Sequence, residues 1–153
     1  MTAIGLLLVN IAYAFYVYYN GPDPVVMKFD FQGNPIAWAS KTQHFVFNTV
    51  FLVFTNGLIF GVLKLFGNDR SLTWVNVPHK EHWTKPENAE EALRRFRTGL
   101  DGVLIFINAV FLGAIHVTAG SVSAWTVNAF VLGVFAAAAG LIGWIYRLFA
   151  PRK

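Results

Sequence analysis

Two histidines stand where an imidazole could bind a metal. His44 opens the second long apolar run of the chain and His116 closes the third, so we expect both side chains at the same face of a membrane. Imidazoles at one depth on neighbouring helices could ligate a haem iron or a chlorophyll magnesium. They could also be interfacial polar residues, and we favour that interpretation because two histidines often reach one depth by chance. No cofactor is therefore predicted, and haem and chlorophyll are kept as candidates only.

His79, His82 and Asp101 are further titratable residues with a candidate role. His79 and His82 are three residues apart, a spacing that suits a metal on a helix. Pro78 opposes a regular helix there, so a solvated cluster is the simpler interpretation. Asp101 lies one turn inside the third apolar run, where an acid is a functional candidate. Arg97 is four residues earlier, and we expect an ion pair between the two rather than a proton path.

Asparagines recur within or near the apolar runs. A polar group in lipid needs a hydrogen-bond partner, so we expect these side chains to bond between helices. A polar ligand cavity is the alternative. The positions are Asn10, Asn48, Asn56, Asn108 and Asn128.

The sequence contains no pattern typical of an enzyme. It has no cysteine, which excludes disulfides, thiolate zinc sites, iron–sulfur clusters and cysteine nucleophiles. No serine lies in a nucleophile elbow, and neither a phosphate-binding glycine loop nor a paired acidic motif is present. We therefore predict a protein without catalytic activity.

Membrane helices are the elements that must position these residues. Hydrophobic residues make up 56% of the 153 residues and charged residues 13%, whereas a soluble domain has a charged share of about 25%. The mean hydropathy is +0.50, and the apolar residues form long runs, which is typical of lipid-facing helices. We predict an all-α integral membrane protein in which residues 1–153 form one domain.

Four runs are long enough to cross a bilayer, which takes about 20 residues. The first run lacks the preceding positive charge and the cleavage site of a signal peptide, so we interpret it as an uncleaved helix. The predicted transmembrane helices cover residues 2–19, 43–66, 99–117 and 124–149. Small residues mark one face of the second and fourth runs, and we expect these faces to pack against other helices. They are Gly57, Gly61, Gly133, Ala136, Ala137, Gly140 and Gly143.

Two of the connectors have a structure of their own. In the first, Val25–Phe31 could be extended and lead to a turn at Gln32–Pro35, with Gly33 in a left-handed conformation. In the second, Thr84–Glu87 fits a capping box with a proline in the first helical turn. We expect an ordered outer loop and a cytoplasmic amphipathic segment that runs into the third span.

The positive charges predict the orientation. The first connector has two Lys or Arg residues and the link between spans three and four has none, whereas the central segment has six and the C-terminal end three. The positive-inside rule then places both termini and the central segment in the cytoplasm. We predict a multi-pass protein of the bacterial cytoplasmic (inner) membrane. Contact with anionic membrane lipids explains the net charge of +4, so no nucleic-acid partner is expected.

The first connector and part of the central segment resemble a bacterial membrane family of unknown function. The likeness covers about residues 1–100. Its pattern is a helix, a proline–acid–proline start, an aromatic–Asp pair, a glycine-centred turn and a second helix. The residues that carry it are Pro22–Pro35, Trp38, Ser40, Lys41, Val75–Lys80, Trp83, Pro86 and Glu87.

The same module forms the N-terminal part of SdpI-like membrane proteins, which include immunity and signalling proteins against a secreted toxin. The resemblance implies an ordered outer loop and a role in binding or protection. The chain departs from the family at Lys28, where many members carry a histidine. A metal or proton role of that histidine therefore does not transfer. The chain also lacks the further helices of the longer members.

Three functions are consistent with these patterns. The first is a non-catalytic protein that binds a peptide, toxin or protein partner at the outer face. The second is an accessory subunit of a respiratory or photosynthetic complex, with the fourth helix as its docking surface and the histidine pair near a pigment or haem. The third, a transporter or enzyme that uses Asp101, ranks last. The residues expected to carry the first function are Asp23, Lys28, Asp30 and Trp38.

Overall fold

The computed structural model describes residues 3–66, 75–120 and 122–151. A short antiparallel hairpin connects the first two long helices, and a 3-10 helix at Pro86–Asn88 leads into the third. The α-helices are α1 (Ala3–Asn20), α2 (Lys41–Phe66), α3 (Lys80–Trp83), α4 (Ala89–Ala119) and α5 (Ala124–Leu148), and the strands are β1 (Val25–Phe29) and β2 (Pro35–Ala39).

The prediction of four membrane-spanning helices is confirmed, since α1, α2, α4 and α5 are long and apolar enough to cross a bilayer. The 31 residues of α4 extend about 46 Å at 1.5 Å per residue, more than the roughly 30 Å of a hydrocarbon core. Helix α4 is therefore longer than one span requires, and its charged first turns continue without a break into the apolar part of the helix. Arg70, Arg152 and Lys153, which contributed to the predicted orientation, lie outside the described residues.

The helix ends are set by local hydrogen bonds. Ser40 and Gln43 form a capping box at α2: the Ser40 Oγ accepts from the Gln43 N–H at 3.2 Å, and the Gln43 Oε1 accepts from the Ser40 N–H at 3.0 Å. At α5, the Ser123 Oγ accepts from the Thr126 N–H. The capping box predicted at Thr84–Glu87 is wrong. The Thr84 hydroxyl instead donates to the carbonyl of Lys80, one turn back in α3.

Helix α4 is central, because α1, α2 and α5 all pack against it, whereas α5 packs chiefly on α4. The rings of Trp144 and Phe130 in α5 lie over Gly102 and Gly113 of α4, within 3 Å of the position that a β-carbon would take. The glycines of the small-residue faces, which were predicted to pack on other helices, have no close neighbours in the described part of the chain. Apart from the backbone of the same helix, no described atom lies within 4 Å of a β-carbon built at Gly57, Gly61, Gly133, Gly140 or Gly143.

A layer of three asparagines occupies the middle of the bundle. Asn10 of α1, Asn56 of α2 and Asn108 of α4 are each at most 1% exposed. The Asn108 amide donates to the Asn56 Oδ1 at 2.9 Å, and the Asn10 amide donates to the Asn108 carbonyl at 2.9 Å. Each amide also donates to the carbonyl four residues earlier in its own helix. The expected interhelical bonding is confirmed for these three residues.

The other two asparagines behave differently. The Asn48 amide donates to the carbonyl of His44 in its own helix, and the Asn128 amide donates to the carbonyl of Gln32 in the hairpin.

Apolar clusters flank the three-asparagine layer, one around Ile59 and Leu104 and the other around Val17 and Ile115.

The two ends of the bundle differ in composition. The hairpin end consists of β1, β2 and the link before α5. The basic end consists of α3, the 3-10 helix, the first turns of α4 and the last turn of α5. At the basic end, the Trp83 indole donates to the Phe149 carbonyl at 2.7 Å and the Arg95 guanidinium donates to the Leu148 and Ala150 carbonyls. These two side chains fix the end of α5, where helix carbonyls lack partners.

We predict that Asn108→Leu lowers the free energy of unfolding in detergent by about 1–2 kcal/mol, the range of interhelical polar bonds in membranes. The change removes the side-chain amide that donates to the buried Asn56 Oδ1 and leaves in place the Asn108 backbone carbonyl that accepts from Asn10. Asn48→Leu is the matched control, because its side chain bonds its own helix. Thermal unfolding followed by circular dichroism measures both, and equal shifts in the two variants would contradict an interhelical role.

Candidate partner-binding site

The hairpin lies across one end of the bundle and is seated by its first strand. Val25 of β1 is fully buried, and β1 packs against α4 and α2. Val25 pairs with Ala39 and Phe29 pairs with Pro35, with irregular register around Lys28. The extended stretch expected at Val25–Phe31 is thus confirmed in β1, and β2 was not predicted.

The hairpin turn is organised by one carboxylate. The Asp30 Oδ1 accepts from the backbone N–H groups of Gln32 and Asn34 at 2.9 and 2.8 Å, and its Oδ2 accepts from the Asn34 side-chain amide at 3.1 Å. These hydrogen bonds, first of all those from Asn34, hold the pKa of Asp30 below its usual value because they stabilise the charged form. Gly33 adopts the predicted left-handed conformation, with φ of 85°.

Three contacts attach the hairpin to the helices. The Asp23 Oδ1 accepts from the N–H of Lys41, the first residue of α2, at 3.2 Å. A β-carbon at Gly33 would stand 2.6 Å from the carbonyl oxygen of Ala124, so only glycine allows the turn to sit on α5. Asn128 donates to the Gln32 carbonyl at 3.3 Å. The loop is therefore ordered by contacts at its start, its first strand and its tip.

Several large apolar side chains and one lysine are exposed on the hairpin. Phe31, Ile36 and Trp38 are exposed, by 105%, 49% and 54%, and Lys28 of β1, which pairs with Ala37, is also exposed. We call these four residues the hairpin surface. The sheet has two strands, so the described residues place no strand on the far side of β2. The unpaired N–H and C=O groups of an edge strand with exposed apolar side chains can form hydrogen bonds with another extended chain.

The four residues predicted to bind a partner fall into two pairs. Asp23 and Asp30 use their carboxylates on backbone N–H groups of the loop. Lys28 and Trp38 are exposed. Sequence reasoning missed Ile36, because β2 was not recognised, although alternation in the Pro35–Ala39 segment was a usable signal.

His44 and His116 lie at the hairpin end, as expected, but on different sides of α4. His44 is buried, and its Nε2 lies 2.8 Å from the Thr118 hydroxyl. The Nδ1 of His116 lies 2.8 Å from the Tyr13 hydroxyl of α1. Residues 116 and 118 of a helix point about 200° apart, so the two imidazoles face away from each other. The structure does not bring them together around one metal.

The remaining titratable candidates are dispersed. His79 has a left-handed backbone, with φ of 57°, and precedes α3, while the ring of His82 packs edge-on against Trp83. Asp101 is exposed on α4, away from the buried asparagine layer. Among the described residues, no group of three or more His, Asp or Glu side chains could hold a metal ion.

Comparison with known families identifies the part of the chain that contains this site. The family model described as a domain of unknown function (DUF1648) matches residues 5–53. The match covers nearly all of α1, the whole hairpin and the first half of α2. Neither a curated protein nor a solved structure matches the chain. The comparisons thus support a helix–hairpin–helix module of an unknown-function domain family, and they assign no activity.

We predict that the hairpin keeps its hydrogen-bonded structure as the pH falls, until Asp30 becomes protonated. A carboxylate whose folded pKa is lowered stabilises the fold above its unfolded pKa of about 3.9, and this contribution is lost as the pH falls through the lower folded value. Amide exchange of the 25–39 segment, corrected for intrinsic rates, should be constant from pH 8 to 5 and rise below about pH 4.

The control for this experiment is Asp30→Asn, which keeps the size of the side chain and removes the charge. We expect faster exchange at neutral pH, because a neutral amide is a weaker acceptor, and no acid transition. An unchanged acid transition in the variant would show that another group controls the hairpin.

Proposed function

We propose that the protein is a non-catalytic binding protein of the bacterial cytoplasmic membrane whose hairpin surface recognises an extended segment of a peptide, toxin or protein partner. The observation that carries this proposal is the combination of a fixed backbone with exposed apolar side chains. The hairpin is anchored by Asp23, Gly33 and Asn128, yet Ile36 and Trp38 remain exposed on an edge strand.

This combination suits recognition by strand addition. In that mode the main chain of an added strand supplies affinity and alternate side chains supply specificity. A rigid hairpin loses little entropy when it binds, and tryptophan is among the residues most often found at binding hot spots. Lys28 adds a positive charge that would favour an acidic or C-terminal carboxylate group in the partner.

The likeness of the Pro22–Pro35 segment to SdpI-like proteins supports the same function. Their immunity and signalling members act against a secreted toxin, which would meet the protein at its outer face. The DUF1648 match spans the same hairpin. On this proposal the hairpin end faces outward and the basic end faces the cytoplasm, in agreement with the positive-inside rule.

An accessory subunit of a larger membrane complex is the second candidate, and α5 is the observation that favours it. This helix packs chiefly on α4 and leaves Leu132 and Phe135 exposed, each by 69%. Gly133, Gly140 and Gly143 are open beside them, and small residues allow close approach of a partner helix. A haem or pigment could be bound by His44 or by His116, but not by both imidazoles together.

The absence of native cysteine makes the orientation directly measurable. We expect Gln32→Cys, in the hairpin turn, to react with a membrane-impermeant maleimide in intact cells. Glu87→Cys, at the basic end, should react only after the membrane is opened. The reverse pattern would overturn the proposed orientation and with it a binding site for an external peptide.

The hairpin surface can be tested with a photoreactive amino acid placed at position 38 in living bacteria. We expect one discrete crosslinked partner at this position, and none at Trp125, which is 78% exposed at the same end of the bundle. Trp38→Ala should then weaken binding of that partner by about 30-fold, the effect of removing a hot-spot residue of roughly 2 kcal/mol. Trp125→Ala should leave the affinity unchanged.

Two outcomes would contradict the hairpin proposal. Equal loss of binding in the two tryptophan variants would indicate a general effect at this end of the bundle. A partner that crosslinks at position 132 of α5, co-purifies at fixed stoichiometry and is insensitive to Trp38→Ala would establish the subunit alternative instead.

A further inference from the structure

A pocket opens at the basic end between the first turns of α4 and the last turns of α5. Its volume is about 560 Å³, and it is lined by three arginines, Arg94, Arg95 and Arg147, together with Thr98 and Trp144. Glu91 is the acidic residue of this lining, so the side chains carry a net positive charge. Because Arg147 lies in the final turn of α5, the pocket is at the level where this helix leaves the membrane.

The arginines of the pocket are fixed to different degrees. Arg95 is buried, stacks 4.5 Å from the Trp83 ring centre, and is held by Glu91 and by the carbonyls that end α5. Arg94 also pairs with Glu91 but is exposed, and Arg147 is exposed on the opposite wall. Two guanidinium groups are therefore presented to the pocket opening around a rigid third one.

A second, shallow apolar groove adjoins this pocket along the same pair of helices. It measures about 360 Å³ and shares Trp144 with the first. Its lining includes Gly102 and Phe106 of α4 and Ala137 and Gly140 of α5. Gly140 has no described atom within 4 Å of a β-carbon position, which leaves a groove rather than a packed seam. The groove lies within the apolar part of both helices.

We propose that the seam between α4 and α5 binds one anionic phospholipid, with its phosphate headgroup among Arg94, Arg95 and Arg147 and an acyl chain in the groove that passes Trp144 and Gly140. Guanidinium groups match phosphate oxygens in geometry and charge, and basic pockets between membrane helices are suited to anionic headgroups. The adjoining apolar groove favours a lipid over a soluble phosphate compound, because only a lipid has an acyl chain to fill it. This site is independent of the hairpin surface.

The headgroup part is tested by charge removal at matched positions. The full-length protein in detergent is titrated with phosphatidylglycerol or with phosphatidylcholine of the same acyl chains, and bound lipid is counted by native mass spectrometry. We expect wild type to prefer phosphatidylglycerol. Arg94→Gln with Arg147→Gln should weaken its binding about 30-fold, since each arginine near an anionic surface contributes roughly a factor of five. The same charge change at the hairpin end, Lys28→Gln with Lys41→Gln, should have little effect.

The groove part is tested by filling it. Gly140→Leu places a side chain in the open groove, whereas Gly133→Leu adds the same side chain to the same helix outside the cavity lining. We expect Gly140→Leu to weaken phosphatidylglycerol binding at least fivefold and Gly133→Leu to leave it unchanged. Circular dichroism of each variant establishes that the helices are retained.

Three results would overturn the proposal. One is equal retention of the two lipids by wild type. Another is equal loss of binding when charge is removed at either end, which would indicate general electrostatic attraction. The third is displacement of the lipid by millimolar inorganic phosphate with no effect of Gly140→Leu, which would assign the pocket to a soluble phosphate compound.

Discussion

Hydrogen bonding among three buried amides is the constraint on which the rest of the bundle depends. Water is absent from the middle of a bilayer, so a polar side chain there must find its partners within the protein. Asn10, Asn56 and Asn108 meet this requirement for all three of their amide N–H₂ groups, and only the Asn10 Oδ1 among their side-chain oxygens has no partner in the described structure. Since each amide also bonds its own helix, the rotation and the axial position of α1, α2 and α4 are fixed together.

This constraint explains why the four helices are not equivalent. Asn108 takes part through its backbone carbonyl and its side chain, which makes α4 the common neighbour of α1 and α2. Helix α5 contributes no side chain to the layer, and Asn128, in its first turns, bonds the Gln32 carbonyl of the hairpin. It is held by aromatic rings over Gly102 and Gly113 and by the Trp83 and Arg95 contacts at its end. A helix attached in this way leaves most of its surface to lipid or to a partner.

The sequence was sufficient for features that depend on local composition. Apolar runs predicted both ends of α1, α2 and α5 and the end of α4 to within two residues, whereas α4 begins ten residues before the predicted third span. Gly33 predicted the left-handed turn. The rule that polar groups in lipid need partners predicted the interhelical bonding of Asn10, Asn56 and Asn108. The sequence was insufficient for features that depend on packing between distant segments of the chain. The spacing of Gly133, Gly140 and Gly143 gives no sign that these glycines lack close neighbours while Gly102 and Gly113 of α4 are covered by aromatic rings of α5. Thr84–Glu87 has the composition of a capping box without its geometry. For the candidate site, the sequence located the hairpin but could not show that Asp23 and Asp30 are committed to backbone N–H groups while Trp38 is exposed.

The distribution of polar partners supports function at the surfaces rather than in the interior. The buried asparagines bond to one another and to their own helices, the buried His44 bonds Thr118, and Asp101 is exposed and separate from both. A transport path would need polar groups linked from one end to the other, whereas here apolar clusters around Leu104 and Ile115 lie on either side of the asparagine layer. The two proposed binding surfaces are at the ends: an apolar edge strand at one and arginines at the other. Because the asparagine layer fixes the core between them, a ligand at either end can bind a preformed surface without rearranging the helices.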